Sequence, residues 1–205
     1  MSYFPFFMEI GQKSALVVGG GRVALRKIEK LLPFGVSLTV VSPVFCEEIE
    51  KMEGICRRLK HFQAEDTEGM LFVIGATNDE GVNAEIAAAC KARGIPVNIV
   101  DDAEKCTFLF PALIKRGAFV AGFSTGGASP LAARYLREQV EEILPTGFEA
   151  ALSLMAQVRE RVRQAVPEGA ARERVLRAIF KLALEKNGGV SSEEIEEIIR
   201  REGEA

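Results

Sequence analysis

The stretch Ser14-Ala15-Leu16-Val17-Val18-Gly19-Gly20-Gly21-Arg22-Val23-Ala24 decides how the rest of the chain is read. Ala15 to Val18 form a short apolar run ended by glycine, the pattern of a buried parallel strand. Gly19, Gly21 and Ala24 then match G-x-G-x-x-G/A. In that pattern the first small residue permits a tight turn and the second lets backbone approach a pyrophosphate. The third lets the next helix lie close to the strand. Val23–Leu32 reads as that helix, with Val23, Ile28, Leu31 and Leu32 on its apolar stripe. The unpaired N–H groups and partial positive charge of a helix N-terminus suit a phosphate.

Working outward, Pro33-Phe34-Gly35 stops the helix and Val36–Val41 supplies a second strand that ends at Ser42-Pro43. Many NAD-binding folds carry an Asp or Glu here that bonds the adenosine ribose. This chain has Ser42, whose hydroxyl can bond a ribose without excluding a 2′-phosphate, so the residues leave NAD and NADP open. Phe45–Met52 reads as a short helix and Cys56–Phe62 as a strand. His61 is the only histidine, and a lone strand histidine is weak ground for catalysis. Leu71–Ala76 is a continuous apolar strand followed by Thr77-Asn78-Asp79, at the end where open α/β sheets bind ligands. Asn78 or Asp79 can cap the helix Gly81–Arg93, and Thr77 and Asn78 are equally candidates for cofactor contact.

Ile95–Val100 is the next strand, with Asp101-Asp102 at its end. One of these acids can serve proton transfer, while loop solvation accounts for the other. Phe108–Ile114 is interrupted by Pro111 and reads as an edge strand or crossover. Lys115-Arg116-Gly117 is a turn and Ala118–Phe123 a last strand. Ser124-Thr125-Gly126-Gly127-Ala128-Ser129-Pro130 then leads into a helix over Leu131–Ile143. Ser129 is expected as N-cap, Pro130 as first helical residue, and the paired glycines as a second anion-binding turn. Beyond Pro145, Phe148–Val166 and Ala171–Glu185 read as amphipathic helices split by Pro167-Glu168-Gly169. Ser191 and Glu194 form a capping box for a final helix to about Arg200.

Composition narrows the function classes. The chain has 205 residues and a net charge of −3, too little for bulk attraction to nucleic acid or an anionic membrane. Cys46, Cys56, Cys90 and Cys106 lack C-x-x-C spacing, which argues against a zinc site or disulfide framework and for reduced thiols in the cytoplasm. We find no membrane-spanning run, no signal-peptide pattern and no metal-ligand spacing. The aromatic arm Tyr3–Ile10 is expected to pack on the sheet edge or on a partner subunit.

Four pieces together give a resemblance: Val17–Ala24 with Arg26-Lys27, Ala76-Thr77-Asn78, Val97-Asn98-Ile99-Val100-Asp101, and Ser124–Pro130. In order and spacing the chain resembles the precorrin-2 dehydrogenase/sirohydrochlorin ferrochelatase family, closely over residues 3–145 and in helical character beyond. The resemblance implies an α/β fold with an N-terminal Rossmann-type parallel sheet over residues 1–112, a small central dimerisation segment over 113–145 and a C-terminal helical region over 146–205. It implies NAD-dependent oxidation of precorrin-2 to sirohydrochlorin, Fe²⁺ insertion in some members, a homodimer, and, from chain length, no fused methyltransferase domain.

Carried over residue by residue, Gly19, Gly21, Arg22 and Val23 match the NAD loop. Ser42, Pro43 and Val44 match the segment near the adenosine, and Asp101 the acid used in dehydrogenation and chelation. Ser124, Thr125, Gly126 and Gly127 fall in the substrate segment, with Thr125 where some relatives have serine. Asp102 and Ala103-Glu104 depart from the alanine and Pro-Lys of many relatives. Arg116, Arg134, Arg137 and the arginines after Gln157 are cation candidates for a polycarboxylate substrate. A nucleotide-sensing module without catalysis and a chelatase without redox activity are the competing readings.

Overall fold

A computed structural model describes residues 3–167 and 169–203, so Glu168 of the expected helix break lies outside the described residues. The chain divides into two compact units, Met1–Pro111 with Ser124–Pro130, and Ala112–Phe123 with Leu131–Ala205.

In the first unit, β1 (Ser14–Val18) pairs in parallel with β2 (Ser37–Ser42) on one side and β4 (Phe72–Gly75) on the other. The sheet continues outward to β3 (Ile55–Leu59) and β5 (Val97–Ile99), giving the order β3-β2-β1-β4-β5. The order reverses between β1 and β4, which opens a crevice at the carboxyl ends of those strands.

Both faces of the sheet are covered, which explains why its central strands are apolar throughout. On one face Ala15, Val17, Val40 and Ile74 pack with Ala24, Ile28 and Leu31 of α1 (Arg22–Leu31). The spacing of those three helix residues puts them on one stripe. On the other face Leu16, Val18, Val41, Val73 and Ile99 pack with Ile86 and Cys90 of α3 (Glu80–Arg93). Val17, Val40 and Ile74 are fully buried, and each such side chain contributes about 1.5–3 kcal/mol by leaving water. The helix after β2, α2 (Glu47–Lys51), is shorter than the expected Phe45–Met52.

The α3 termini follow from local chemistry. The Asp79 carboxylate accepts from the Val82 N–H at 3.1 Å, so Asp79 is the cap. At the other end Gly94 takes a left-handed conformation and the Ile95 N–H bonds the Cys90 carbonyl. The aromatic arm has no regular structure over residues 3–9, and Phe4, Phe6 and Phe7 are exposed in the single chain.

In the second unit β6 (Ala112–Arg116) and β7 (Phe119–Phe123) form an antiparallel hairpin closed at Gly117. Ala118–Phe123 therefore is not a further strand of the parallel sheet. The apolar run 108–114 is divided at Pro111: Phe108 and Phe110 pack on the α1 face of the first unit, and the strand begins after the proline. Helices α4 (Pro130–Ile143), α5 (Phe148–Ala165), α6 (Ala170–Glu185) and α7 (Ser192–Gly203) follow. The last three share a core of Val158, Val162, Val175, Ile179, Ile195 and Ile198. The expected capping box forms, with the Ser191 N–H donating to Glu194 at 3.0 Å and the Glu194 N–H to Ser191 Oγ at 3.2 Å. Among the described residues no helix is long and apolar enough to cross a membrane.

Candidate functional site: a dinucleotide cleft at the sheet edge

A cleft of about 930 Å³ opens at the carboxyl ends of β1, β2 and β4. All nine residues expected to hold a cofactor line it: Gly19, Gly21, Arg22, Val23, Ser42, Pro43, Val44, Thr77 and Asn78.

The Gly-rich turn is shaped by two different demands. Gly19 has φ +126°, and a Cβ there would lie 2.3 Å from the Ala76 carbonyl oxygen. Only glycine lets β1 turn this close to the end of β4. A Cβ on Gly20 would strike the Val44 carbonyl at 1.9 Å, and the Cys46 N–H bonds the Gly20 carbonyl at 2.7 Å. Gly21 differs, because a Cβ there would meet nothing within 4 Å. It caps α1 with no side-chain bond, and the first turn of α1 carries no acid. The helix thus directs N–H groups and a partial positive charge into open space of the cleft, which fits a diphosphate.

The opposite wall is pre-organised by hydrogen bonds. The Ser42 hydroxyl donates to the Val44 carbonyl at 2.6 Å, and Ser42 is only 6% exposed. Its proton therefore holds the turn instead of reaching out for a ribose, while exposed Val44 presents an apolar wall. Thr77 Oγ1 accepts from the Asp79 N–H at 3.2 Å and lies 2.9 Å from Asn83 Oδ1. Asn83 Nδ2 in turn donates to the Thr77 carbonyl at 3.0 Å. Thr77 thus anchors the turn, and Asn78 stands exposed beside it.

Asp101 lies beyond β5, at the carboxyl end of the sheet, but is not among the residues lining the cleft. Its φ of +61° is left-handed, a conformation that Asp and Asn adopt more readily than other side chains. Its charge acts on Lys27 of α1, whose ammonium sits 4.2 Å over the Phe110 ring. The pKa of Lys27 is lowered from 10.5 to about 8, chiefly by desolvation, with Lys30 and Arg26 lowering it too and Cys106 and Asp101 opposing. Asp102 is paired with Lys105 and caps the short turn after Asp101, which accounts for the second acid of the pair.

Ser124, Thr125, Gly126 and Gly127 belong to the first unit, and Arg134 to the second. Thr125 Oγ1 accepts from the Ser129 N–H at 2.9 Å, so a threonine ties the turn that enters α4. Arg137 is paired with Glu138 and Glu141, and Arg116 with Glu141. Arg172 donates to the Arg163 and Val166 carbonyls, closing the end of α5. Among the described residues no three His, Cys, Asp or Glu side chains stand together as a metal site.

Sequence reasoning missed His61 and Phe62, which also line the cleft. β3 ends at Leu59, so both residues follow a parallel strand, where sheets of this type recruit ligand contacts.

A doubly covered parallel sheet of this order, with a Gly-rich turn entering α1, defines a dinucleotide-binding α/β protein of Rossmann type. The chain belongs to the family described as "Putative NAD(P)-binding", whose model matches residues 6–112. The siroheme synthase of Methylococcus capsulatus is 45% identical over 175 residues, covering 84% of this chain and 37% of that protein. The siroheme synthase of Nitrosomonas eutropha is 38% identical over 168 residues, covering 80% and 35%. The chain thus spans little more than a third of these curated relatives. Among solved structures, "SirC, precorrin-2 dehydrogenase" superposes with a TM-score of 0.71 at 23% identity, over 99% of this chain and 100% of that one, a likeness of fold.

Proposed function

We propose that this chain catalyses the NAD-dependent oxidation of precorrin-2 to sirohydrochlorin. The observation that carries the reading is that all nine expected cofactor residues line one cleft, with Asp101 at the same carboxyl edge of the sheet. The siroheme synthase relatives and the fold shared with SirC support it.

When bound, the nicotinamide supplies the hydride acceptor. The backbone of Gly19–Val23 would hold the diphosphate, and Val44, on the same lining, would lie against the adenosine. Asp101 would take the proton that precorrin-2 gives up beside the hydride, so that the overall change balances as sirohydrochlorin, NADH and one proton. A positioned base of this kind is worth about 10²–10⁴ in rate. Ser124, Thr125, Gly126, Gly127 and Arg134 are proposed to meet the substrate.

Fe²⁺ insertion into sirohydrochlorin is proposed as a second activity that uses Asp101. The segment 113–145 is proposed as the dimerisation element, a role supported by exposed Leu131, Tyr135, Leu136 and Ile143 on α4. Four free cysteines support a cytoplasmic location.

The test is purified protein with NAD⁺ and precorrin-2, then Fe²⁺. NADH and sirohydrochlorin in equal amounts are expected. Folded protein that binds NAD⁺ and leaves precorrin-2 unchanged counts against the reading and for a nucleotide sensor.

A further inference from the structure

Discrimination between NAD and NADP turns on the charge around the adenosine ribose. A carboxylate at the end of the second strand accepts the ribose hydroxyls and repels a 2′-phosphate, whereas a nearby arginine accommodates that phosphate. Here the end of β2 runs Ser42-Pro43-Val44, with no acid. The Ser42 proton is engaged by the Val44 carbonyl. Among the described residues Asp79 is the one acid that lines the cleft, and its carboxylate is occupied in capping α3.

Among the described residues of the lining, the basic ones are Arg22 and His61. Their placement follows from the sheet. β3 pairs with β2 so that Leu59 lies opposite Ser42, and the Lys60 N–H bonds the Ser42 carbonyl at 3.1 Å. That register brings His61 beside the Ser42–Val44 turn. Arg22 is the first residue of α1, and the acid whose charge it meets is Glu48 on α2. The other cations in and just after β3 are committed elsewhere. Arg58 and Lys60 hold buried Asp66 at 3.3 and 2.8 Å, and Arg57 donates to the Ile49 and Met52 carbonyls.

We infer that the cleft accepts a 2′-phosphorylated dinucleotide as well as NAD, with Arg22 and His61 forming the subsite for the 2′-phosphate. This rests on the proposed dinucleotide reading, so the test uses adenosine fragments, whose binding is independent of turnover. Calorimetric titration compares 5′-AMP with adenosine 2′,5′-bisphosphate, which differ only in the 2′-phosphate, on the full chain. The bisphosphate is expected to bind within about threefold of 5′-AMP or tighter. In the double variant Arg22→Gln/His61→Gln, the ratio of the two dissociation constants should move against the bisphosphate by about tenfold, the loss of one charge-assisted contact. Rejection of the bisphosphate by wild type by more than tenfold overturns the inference, as does an unchanged ratio in the double variant. If 5′-AMP and NAD⁺ both fail to bind, the dinucleotide reading itself has failed, and the 2′-phosphate subsite falls with it.

Discussion

Replacing Gly19 and Gly21 separately by alanine should break two different things. At Gly19 the new methyl would lie 2.3 Å from the Ala76 carbonyl oxygen and 2.8 Å from its carbon, both backbone atoms tied to β4. Overpacking of this kind costs about 1–3 kcal/mol. The backbone at φ +126° adds about 1–3 kcal/mol of strain for any residue with a Cβ. The sum of roughly 2–6 kcal/mol should lower the melting temperature by roughly 5–20 °C in a chain of this size. At Gly21 the methyl meets no protein atom within 4 Å, and φ is −93°. Alanine is a poorer N-cap than glycine, but it also restricts the unfolded chain by about 0.4–1 kcal/mol, so the net change in stability should be near zero. The methyl instead enters the space assigned to the diphosphate. A penalty of about 1.4–2.8 kcal/mol there weakens NAD⁺ binding about 10–100-fold. Thermal melts of both variants, with NAD⁺ titrations of Gly21→Ala, separate the two effects. Gly21→Ala protein that binds NAD⁺ like wild type, or that melts as low as Gly19→Ala, refutes the reasoning.

Asp101→Asn keeps a side chain that tolerates left-handed backbone, so it should leave the fold and NAD⁺ affinity intact while reducing precorrin-2 oxidation by about 10²–10⁴-fold; unaltered turnover removes Asp101 from the mechanism. Lys27 has a folded pKa of about 8 against 10.5, so between these values the unfolded state binds more protons and stability should rise with pH. Allowing for solvent screening, the gain is about 1 kcal/mol, and urea melts at pH 8 and 10 should show it in wild type but not in Lys27→Met. Burial pushes the Cys90 thiol up to about 11, so a thiol reagent at pH 8 should label exposed Cys56 first and reach Cys90 only on unfolding. Equal labelling rates in the folded protein would contradict that packing.

The sheet was legible because its central strands are buried on both faces and therefore read as unbroken apolar runs. Ala15–Val18 and Leu71–Ala76 are the clearest cases. The glycines of the turn carried the cofactor side of the site for the same reason that they are glycines: three backbone segments meet there. What sequence obscured lies where local pattern and tertiary pairing part company. β3 is a largely exposed edge strand, so its end at Leu59 left no hydrophobic boundary, and the approach of His61 to the cleft went unseen. The start of β6 was hidden because Pro111 sits inside one apolar run whose halves serve different units. Ser42 stands at the right distance with a hydroxyl able to bond a ribose, but the direction of that hydroxyl depends on the Val44 carbonyl, a partner that only the folded turn supplies.

The central claim is that one dinucleotide spans this sheet edge, and a crystal structure of the NAD⁺ complex tests it most directly. The account predicts the diphosphate on the Gly21 backbone and the N-terminus of α1, the adenosine against Val44, and the nicotinamide ring beside the Asp101 carboxylate. A nicotinamide ring lying on the β3 side of the sheet, away from Asp101, would contradict it.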